Sequence, residues 1–463
     1  MIASLTSRLK NKFFRDAATL QIGSLFNAVG NFASAALLAH FLGAETQGQF
    51  YVAVSLYSLL WFLVNQGLLQ ATVAQVAAAN ARGQPEKVAA WLAWLLKSNI
   101  AFGVVLCAVG FLALPWVATH WLGSSSEVGQ WAAWLALSPL LETPRIVACA
   151  AMHGTRRMVP FAQTENAQEA MRVFLVVVGA LVTNSATGPV VGTLIASLCG
   201  SVAALELYRR ERKNANSPLP GMRDILAHVR DVPLTLGTAL GVKLGIVRNL
   251  NALCMEVIPS LLIERFGSTE WVAYLRIAQR LMRVPLMLMQ GINRTSVPAF
   301  SELAGLKDVD RLRRVYFKTS FLSGLFISAG VLLVMPFLGW ILRFAFPSDY
   351  VQPVLTTCWI LVPGFLVMSF SVANDTFYLI TNTLRVAVVI SVGAMIPSVI
   401  GIAYLAWAYP TTGVAWGLSI NMASSSLHIM YAAYYFRRHK RSPDQLAHLD
   451  PSVPRIDTEP PAE

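Results

Sequence analysis

Apolar residues recur along this chain in about twelve long runs, with short polar segments between them. A bilayer hydrocarbon core about 30 Å thick takes roughly 20 helical residues to cross, and each run approaches or exceeds that length. The pattern predicts an all-α integral membrane protein. The predicted spans are residues 17–42, 50–73, 91–117, 128–152, 160–183, 189–207, 232–263, 271–298, 315–342, 351–379, 386–407 and 413–436.

The polar connectors arrange these spans into two groups of six. The longest connector is rich in Arg and Lys, and Pro218 and Pro220 break any helix within it. We expect this connector to join two lobes of the fold. The predicted division is 1–16 as an interfacial amphipathic helix, 17–207 as an N-lobe with helices 1–6, 208–231 as a cytoplasmic linker, 232–436 as a C-lobe with helices 7–12, and 437–463 as a disordered cytoplasmic tail.

A weak internal repeat supports the same division. The shift that places Gly43 on Gly267 also places Gln66 and Gly67 on Gln290 and Gly291. Because the shift crosses six spans, both copies keep the same orientation in the bilayer. We therefore expect two six-helix lobes related by a pseudo-two-fold axis along the membrane normal.

Composition and charge agree with a membrane protein. Of the 463 residues, 55% are hydrophobic and 13% are charged, whereas soluble domains average about 25% charged residues. Most Lys and Arg residues outside the spans lie at the two termini and in alternate loops, and the opposite loops hold Arg265 and Arg343. By the positive-inside rule, both termini are cytoplasmic. The net charge of +12 then reflects orientation and not nucleic-acid binding.

The eighth predicted span carries a row of cationic side chains. Arg276, Arg280 and Arg283 recur at i, i+4 and i+7, so they share one helical face, and Gln290 continues the row. Each arginine at a helix centre costs roughly 2.5–3.5 kcal/mol on insertion scales. We expect this face to line a wet cavity. The alternative interpretation is that neighbouring carbonyls and acids satisfy these arginines.

A second cationic wall comes from Lys243 and Arg248 on the seventh predicted span. A phosphate or pyrophosphate would find bidentate partners in Arg280 and Arg283 and a point charge in Lys243. These basic residues, with Arg276 and Gln290, are the predicted substrate-binding set, and the predicted substrate is anionic.

Acidic side chains within the spans are candidates for ion or proton coupling. Glu165, Glu169 and Arg172 stand at i, i+4 and i+7, and Asp375 lies in a polar patch of the tenth span. Glu142 and Arg145 are neighbours at i and i+3, and in the alternative interpretation they simply neutralise each other. We expect a monovalent cation or a proton as the coupling ion.

Motifs for catalysis or metal binding are missing from the sequence. None of the seven histidines has a ligand spacing, and the chain has neither a GxSxG motif nor a P-loop. The five cysteines stand singly in apolar runs, as small core residues do. We expect a protein that is not an enzyme and that has no metal and no cofactor.

Several segments carry a family resemblance. They are Phe41-Leu42-Gly43, Gly48-Gln49-Phe50, the stretch from Tyr274 to Leu303 and the basic run from Asp310 to Arg314. They resemble the polysaccharide-transporter family of oligosaccharide flippases, the O-antigen translocase type, within the multidrug/oligosaccharidyl-lipid/polysaccharide exporter superfamily. Lipid II flippases are similar, but they carry basic residues in the first span, which this chain lacks.

This resemblance implies two six-helix lobes and alternating access. It also implies translocation of an undecaprenyl-pyrophosphate-linked oligosaccharide across the bacterial inner membrane, for exopolysaccharide or O-antigen lipopolysaccharide biosynthesis. The pyrophosphate would meet a cationic cavity, here Arg276, Arg280, Arg283, Lys243 and Arg248. A polysaccharide polymerase is an expected partner.

Two other functions remain open at this point. A cation-coupled multidrug exporter of the same superfamily would share the fold, although such exporters need acids for cationic drugs. A membrane glycosyltransferase or ligase would need a sizeable periplasmic loop, and the predicted outer loops are short.

Overall fold

The computed structural model describes residues 2–62, 65–214, 217–238, 252–282, 309–381 and 383–439, with positions 241, 249, 284, 285 and 300 between them. Within these residues all regular structure is helical. Seven of the described helices are long and apolar enough to cross a membrane.

The first helix, α1, runs from Ile2 to Phe62 and is broken at Gly43. Gly43 has φ 72° and ψ 172°, a conformation that glycine adopts without a steric penalty. The sequence predicts a turn over residues 43–48, but helix resumes directly after Gly43. The first two predicted spans therefore meet at a single residue.

The connector that the predicted spans 50–73 and 91–117 leave at residues 74–90 is shorter in the structure. Helix α2 covers Asn65–Ala81, and α3 already begins at Pro85. Val76 and Val88 are almost fully buried, and the connector shrinks to the turn at residues 82–84. The alanine-rich run has a high helix propensity, and its valines find apolar neighbours, so both helices extend.

The remaining helices of the first half follow the predicted spans with two differences: one span is broken, and a short helix at Met222–His228 lies in the predicted linker 208–231. Ser125 caps the start of α4, because its hydroxyl accepts a hydrogen bond from the Val128 N–H at 3.4 Å. The predicted span 128–152 is two helices, with the break at residues 136–137. The bounds are a π-turn at Val117–Leu122, α4 Ser126–Leu135, α5 Ser138–Gly154, α6 Met158–Thr183, α7 Thr187–Arg212 and α8 Met222–His228.

In the second half, helix α9 covers Ile258–Phe266 and follows a π-turn at Leu253–Val257. Residues 269–282 are helical and form α10, which carries the first part of the arginine row. The bounds of the others are α11 Val309–Ala345, α12 Ser348–Ser369, α13 Asn374–Ile380, α14 Leu384–Ala408, α15 Gly413–Ala423 and α16 Ser426–His439.

The chain forms two compact units. The first comprises Met1–Val284, Phe337–Ile360 and Pro397–Leu418, and one of its apolar clusters surrounds the fully buried Trp94. The second comprises Pro285–Pro336, Leu361–Ile396 and Ser419–Glu463. Its core is a cluster of aromatic rings around Tyr316 and Phe377. The division into lobes at residues 207 and 232 stays a prediction.

Candidate functional site

The predicted substrate-binding residues within the described part of the chain are Arg276 and Arg280. Both lie on α10, one helical turn apart, in the first unit. Lys243, Arg248, Arg283 and Gln290 lie outside the described residues. The site can therefore be built from these two arginines and from the helices that contact them.

Arg276 is held by two oxygen atoms from different elements. One terminal nitrogen, Nη2, donates to the Ser55 hydroxyl on α1 at 2.7 Å. The other, Nη1, lies 3.6 Å from a carboxylate oxygen of Glu256 in the π-turn before α9. The Arg276 side chain is 13% exposed and the Glu256 side chain 34%. The ion pair is therefore partly buried and partly exposed.

Arg280, one turn after Arg276 on α10, also contacts α1. Its Nη1 donates to the main-chain carbonyl of Asn31 at 2.9 Å. Its guanidinium carbon lies 5.2 Å from the centre of the Tyr51 ring, within the range of a cation–π interaction. These contacts fit the alternative interpretation given above, because Arg276 has an acid as a partner and Arg280 has a main-chain carbonyl. Both arginines are nevertheless partly exposed. A guanidinium group can donate up to five hydrogen bonds.

Asn31 also joins these arginines to the predicted ion-coupling residues. Its side-chain amide donates to a Glu169 carboxylate oxygen at 2.5 Å, and its amide oxygen accepts from Arg172 Nη2 at 2.8 Å. Glu169 and Arg172 are themselves paired through two hydrogen bonds, of 2.5 and 3.0 Å. One asparagine of α1 therefore contacts an acid and a base on α6 and, through its carbonyl, an arginine on α10.

A second charged cluster lies between α5, α6 and α7. Arg145 donates to Glu142 at 2.7 Å and to Glu165 at 2.5 Å, and the Ser197 hydroxyl donates to Glu142 at 2.9 Å. The pairing of Glu142 with Arg145 is confirmed. Two carboxylates around one guanidinium leave this cluster formally negative.

Sequence analysis predicts the acids of α6 as one set, but the structure distributes their partners. Glu165 pairs with Arg145, and Glu169 pairs with Arg172. Asp375 is on α13, in the second unit, and is exposed. Among the described residues, no group of His, Cys, Asp and Glu is arranged to hold a metal ion.

Three residues of this site were not predicted from the sequence. Asn31 was visible as a polar residue in the first span, while Ser55 and Tyr51 carried no signal, because neither residue type is unusual in a membrane helix. Their roles follow from contacts with α10, more than 200 residues away along the chain. Such contacts cannot be inferred from the periodicity of one helix.

The described helices that are long and apolar enough to cross a membrane indicate a multi-pass membrane protein. Residues 13–304, well over half of the chain, match the sequence profile of the family described as "Polysaccharide biosynthesis protein". The chain therefore belongs to this family. No curated protein sequence matches the chain.

Solved structures support the fold. An inward-facing multidrug resistance MATE family transporter of the MOP superfamily is similar, with a TM-score of 0.70, 15% identity, and coverage of 90% of this chain and 96% of that one. The lipid II flippase MurJ, in an inward closed conformation, has a TM-score of 0.65 and 14% identity, covering 90% and 87%. A MOP superfamily transporter from Pyrococcus furiosus has a TM-score of 0.60 and 15% identity, covering 93% and 96%.

These identities are low, so the likeness concerns the fold alone. It confirms the predicted fold class, an all-α membrane protein with about twelve helices in two six-helix lobes.

Proposed function

We propose that this protein is a flippase for a lipid-linked oligosaccharide. It would move an undecaprenyl-pyrophosphate-linked oligosaccharide from the cytoplasmic to the periplasmic leaflet of the bacterial inner membrane by alternating access. Membership of a polysaccharide biosynthesis family and a fold shared with transporters and with a flippase support this proposal. Under this proposal the protein transports its substrate and does no chemistry on it.

One observation carries the proposal: two arginines, one turn apart on an apolar helix, are held in place but not enclosed. Arg276 and Arg280 contact α1 through Ser55, Asn31 and Tyr51, so their guanidinium groups are oriented before any substrate binds. Guanidinium groups bind phosphate oxygens through paired, charge-assisted hydrogen bonds. A pyrophosphate headgroup is the substrate chemistry that best fits such a pair. Lys243, Arg248, Arg283 and Gln290, which the sequence predicts to bind the substrate, remain part of the proposal.

The coupling ion is part of the same proposal. Glu165, Glu169 and Asp375 are carboxylates within predicted spans, and intramembrane acids commonly carry protons or cations in transporters. Glu169 is linked to the arginines, because Asn31 contacts both Glu169 and Arg280. We propose that its protonation state changes during the transport cycle, with Arg172 as its fixed counter-charge.

The experiment is complementation of a deletion strain, with surface polysaccharide as the readout. The double variant R276A/R280A should abolish export while protein in the membrane stays at the wild-type level. The matched control is R265A, which removes an exposed arginine at the end of α9. Normal export by the double variant at normal protein levels would overturn the proposal.

A further inference from the structure

Tyr51 on α1 has two distinct contacts. The face of its ring lies under the Arg280 guanidinium, with 5.2 Å from the guanidinium carbon to the ring centre. Its hydroxyl accepts a hydrogen bond from the side-chain amide of Gln47 at 3.2 Å. The side chain is buried, with 3% of its surface exposed. The Tyr51 side chain therefore contacts a proposed substrate-binding residue through the face of its ring and a buried glutamine through its hydroxyl.

Gln47 is the centre of a buried polar contact, which we call the Gln47–Tyr350 seal. The Gln47 amide donates to the Ala35 carbonyl at 3.0 Å, and its oxygen accepts from the Tyr350 hydroxyl at 2.9 Å. Gln47 and Tyr350 are both fully buried. The Tyr350 ring packs edge to face on Tyr274, at 5.3 Å between ring centres, just before the arginines of α10.

The seal lies at helix ends that the orientation predicted from the charge distribution assigns to the periplasmic side. Gln47 follows the break in α1 at Gly43, and Tyr350 is in the first turn of α12. The packing there is tight: a β-carbon on Gly48 would overlap the Thr269 carbonyl oxygen. Within the first unit, α1, α10 and α12 are therefore closed against one another at this end.

We infer that Tyr51 is a positioning residue that couples an anion bound at Arg276 and Arg280 to opening of the Gln47–Tyr350 seal. The inference rests on the proposed function, because it requires a pyrophosphate group at these arginines. That group competes with the Tyr51 ring and the Asn31 carbonyl for the Arg280 guanidinium. When Arg280 turns to the anion, the ring loses its cationic partner. Its hydroxyl is then released from Gln47, and the seal opens on the far side of the bound headgroup.

The experiment uses the purified full-length protein, with inorganic pyrophosphate as the probe. Ala35 is fully buried beside Gln47, so a cysteine placed there, A35C, reports opening through its reaction rate with a membrane-impermeant maleimide. The parent protein without A35C measures the reaction of the five native cysteines. A second reporter, A39C, replaces another buried residue of α1. Pyrophosphate affinity is measured on the same variants by calorimetry.

Three variants distinguish coupling from a structural role. Y51F keeps the ring under Arg280 and loses the hydroxyl, so pyrophosphate should bind with wild-type affinity while the A35C rate no longer responds to it. Y57F removes a hydroxyl from the same helix, outside the seal, and should respond as the wild type does. R280A should weaken pyrophosphate binding by about ten-fold or more, the loss of a charge-assisted interaction.

Two results would overturn the coupling alone: a normal pyrophosphate response in Y51F, or a loss of affinity in Y51F as large as that in R280A. If the wild type does not bind pyrophosphate, or if R280A binds it equally well, the proposed function fails together with the coupling. The affinity measurement separates these cases before any labelling is done.

Discussion

Arg280 on α10 donates a hydrogen bond to the main-chain carbonyl of Asn31 on α1, at 2.9 Å. The side chain of the same asparagine contacts Glu169 and Arg172 on α6. Three helices that are far apart in sequence therefore meet at one residue of the first span. This arrangement places a proposed substrate-binding arginine two contacts away from a proposed ion-coupling acid.

Replacement of Asn31 by alanine should destabilise the protein. N31A removes hydrogen bonds to a carboxylate and to a guanidinium, each partly buried, and hydrogen bonds to charged groups contribute roughly 1.5–3 kcal/mol each. N27A, one turn earlier, removes a bond between neutral amides, at 3.2 Å to Asn166. We expect thermal unfolding in detergent to show a clearly larger loss for N31A than for N27A. Equal losses would mean that the charged partners of Asn31 contribute nothing special.

Removal of Arg145 should be more damaging than removal of its whole cluster. R145A leaves the carboxylates of Glu142 and Glu165 facing each other without a base, and breaking a buried ion pair from one side costs about 3–5 kcal/mol. The Arg145 side chain is only 14% exposed, although Glu165 is 43% exposed, so the lower end of that range applies.

The triple variant R145A/E142Q/E165Q removes both negative charges and should recover most of this loss. Membrane-inserted yield and unfolding temperature measure both variants. Failure of the triple variant to recover would show that Arg145 acts by filling space and not by its charge.

Neutralisation of Glu256 should strengthen pyrophosphate binding. Glu256 lies 3.6 Å from Arg276 and competes with an anionic ligand for that guanidinium. Such a partly exposed pair is worth roughly 0.2–1 kcal/mol, so E256Q should raise the affinity up to about five-fold. Calorimetry at low and high salt checks this, and salt should reduce the difference. The matched control is E264Q, which neutralises a carboxylate about two helical turns after Glu256. Unchanged pyrophosphate affinity in E256Q would show that Glu256 does not compete with the anion for Arg276.

The sequence predicted some features behind these contacts, such as helix positions and unusual charges, but it did not predict others. Hydrophobic run length predicted α6 well, because a bilayer sets helix length directly: residues 160–183 were expected, and α6 covers Met158–Thr183. The gap between the predicted spans 50–73 and 91–117 was too long, because the helix-forming alanines within it continue both helices. Intramembrane charge also identified Arg276, Arg280, Glu165 and Glu169 as unusual.

The partners of these charged residues could not be predicted. Helical spacing puts Glu165 and Glu169 on one face of α6, but Glu165 pairs with Arg145 on α5 and Glu169 contacts Asn31 on α1. Those pairings depend on how helices distant in sequence pack, which the spacing on a single helix does not contain. Ser55 and Tyr51 contact arginines on α10 for the same reason.

The close approach of α1 to α10 gives the last prediction. A β-carbon on Gly48 would overlap the main-chain carbonyl of Thr269, so G48A must push the two helices apart. Overpacking of this kind costs about 1–3 kcal/mol. G330A on α11 is the matched control, because a β-carbon there meets nothing within 4 Å and alanine favours a helix over glycine. Unfolding temperatures should fall for G48A and stay level or rise for G330A.

In an A35C background, G48A should also speed maleimide labelling without any pyrophosphate, because the adjacent Gln47–Tyr350 seal no longer closes fully. A stable G48A protein with a slow labelling rate would contradict a role for the close approach of α1 and α10 in keeping the seal closed.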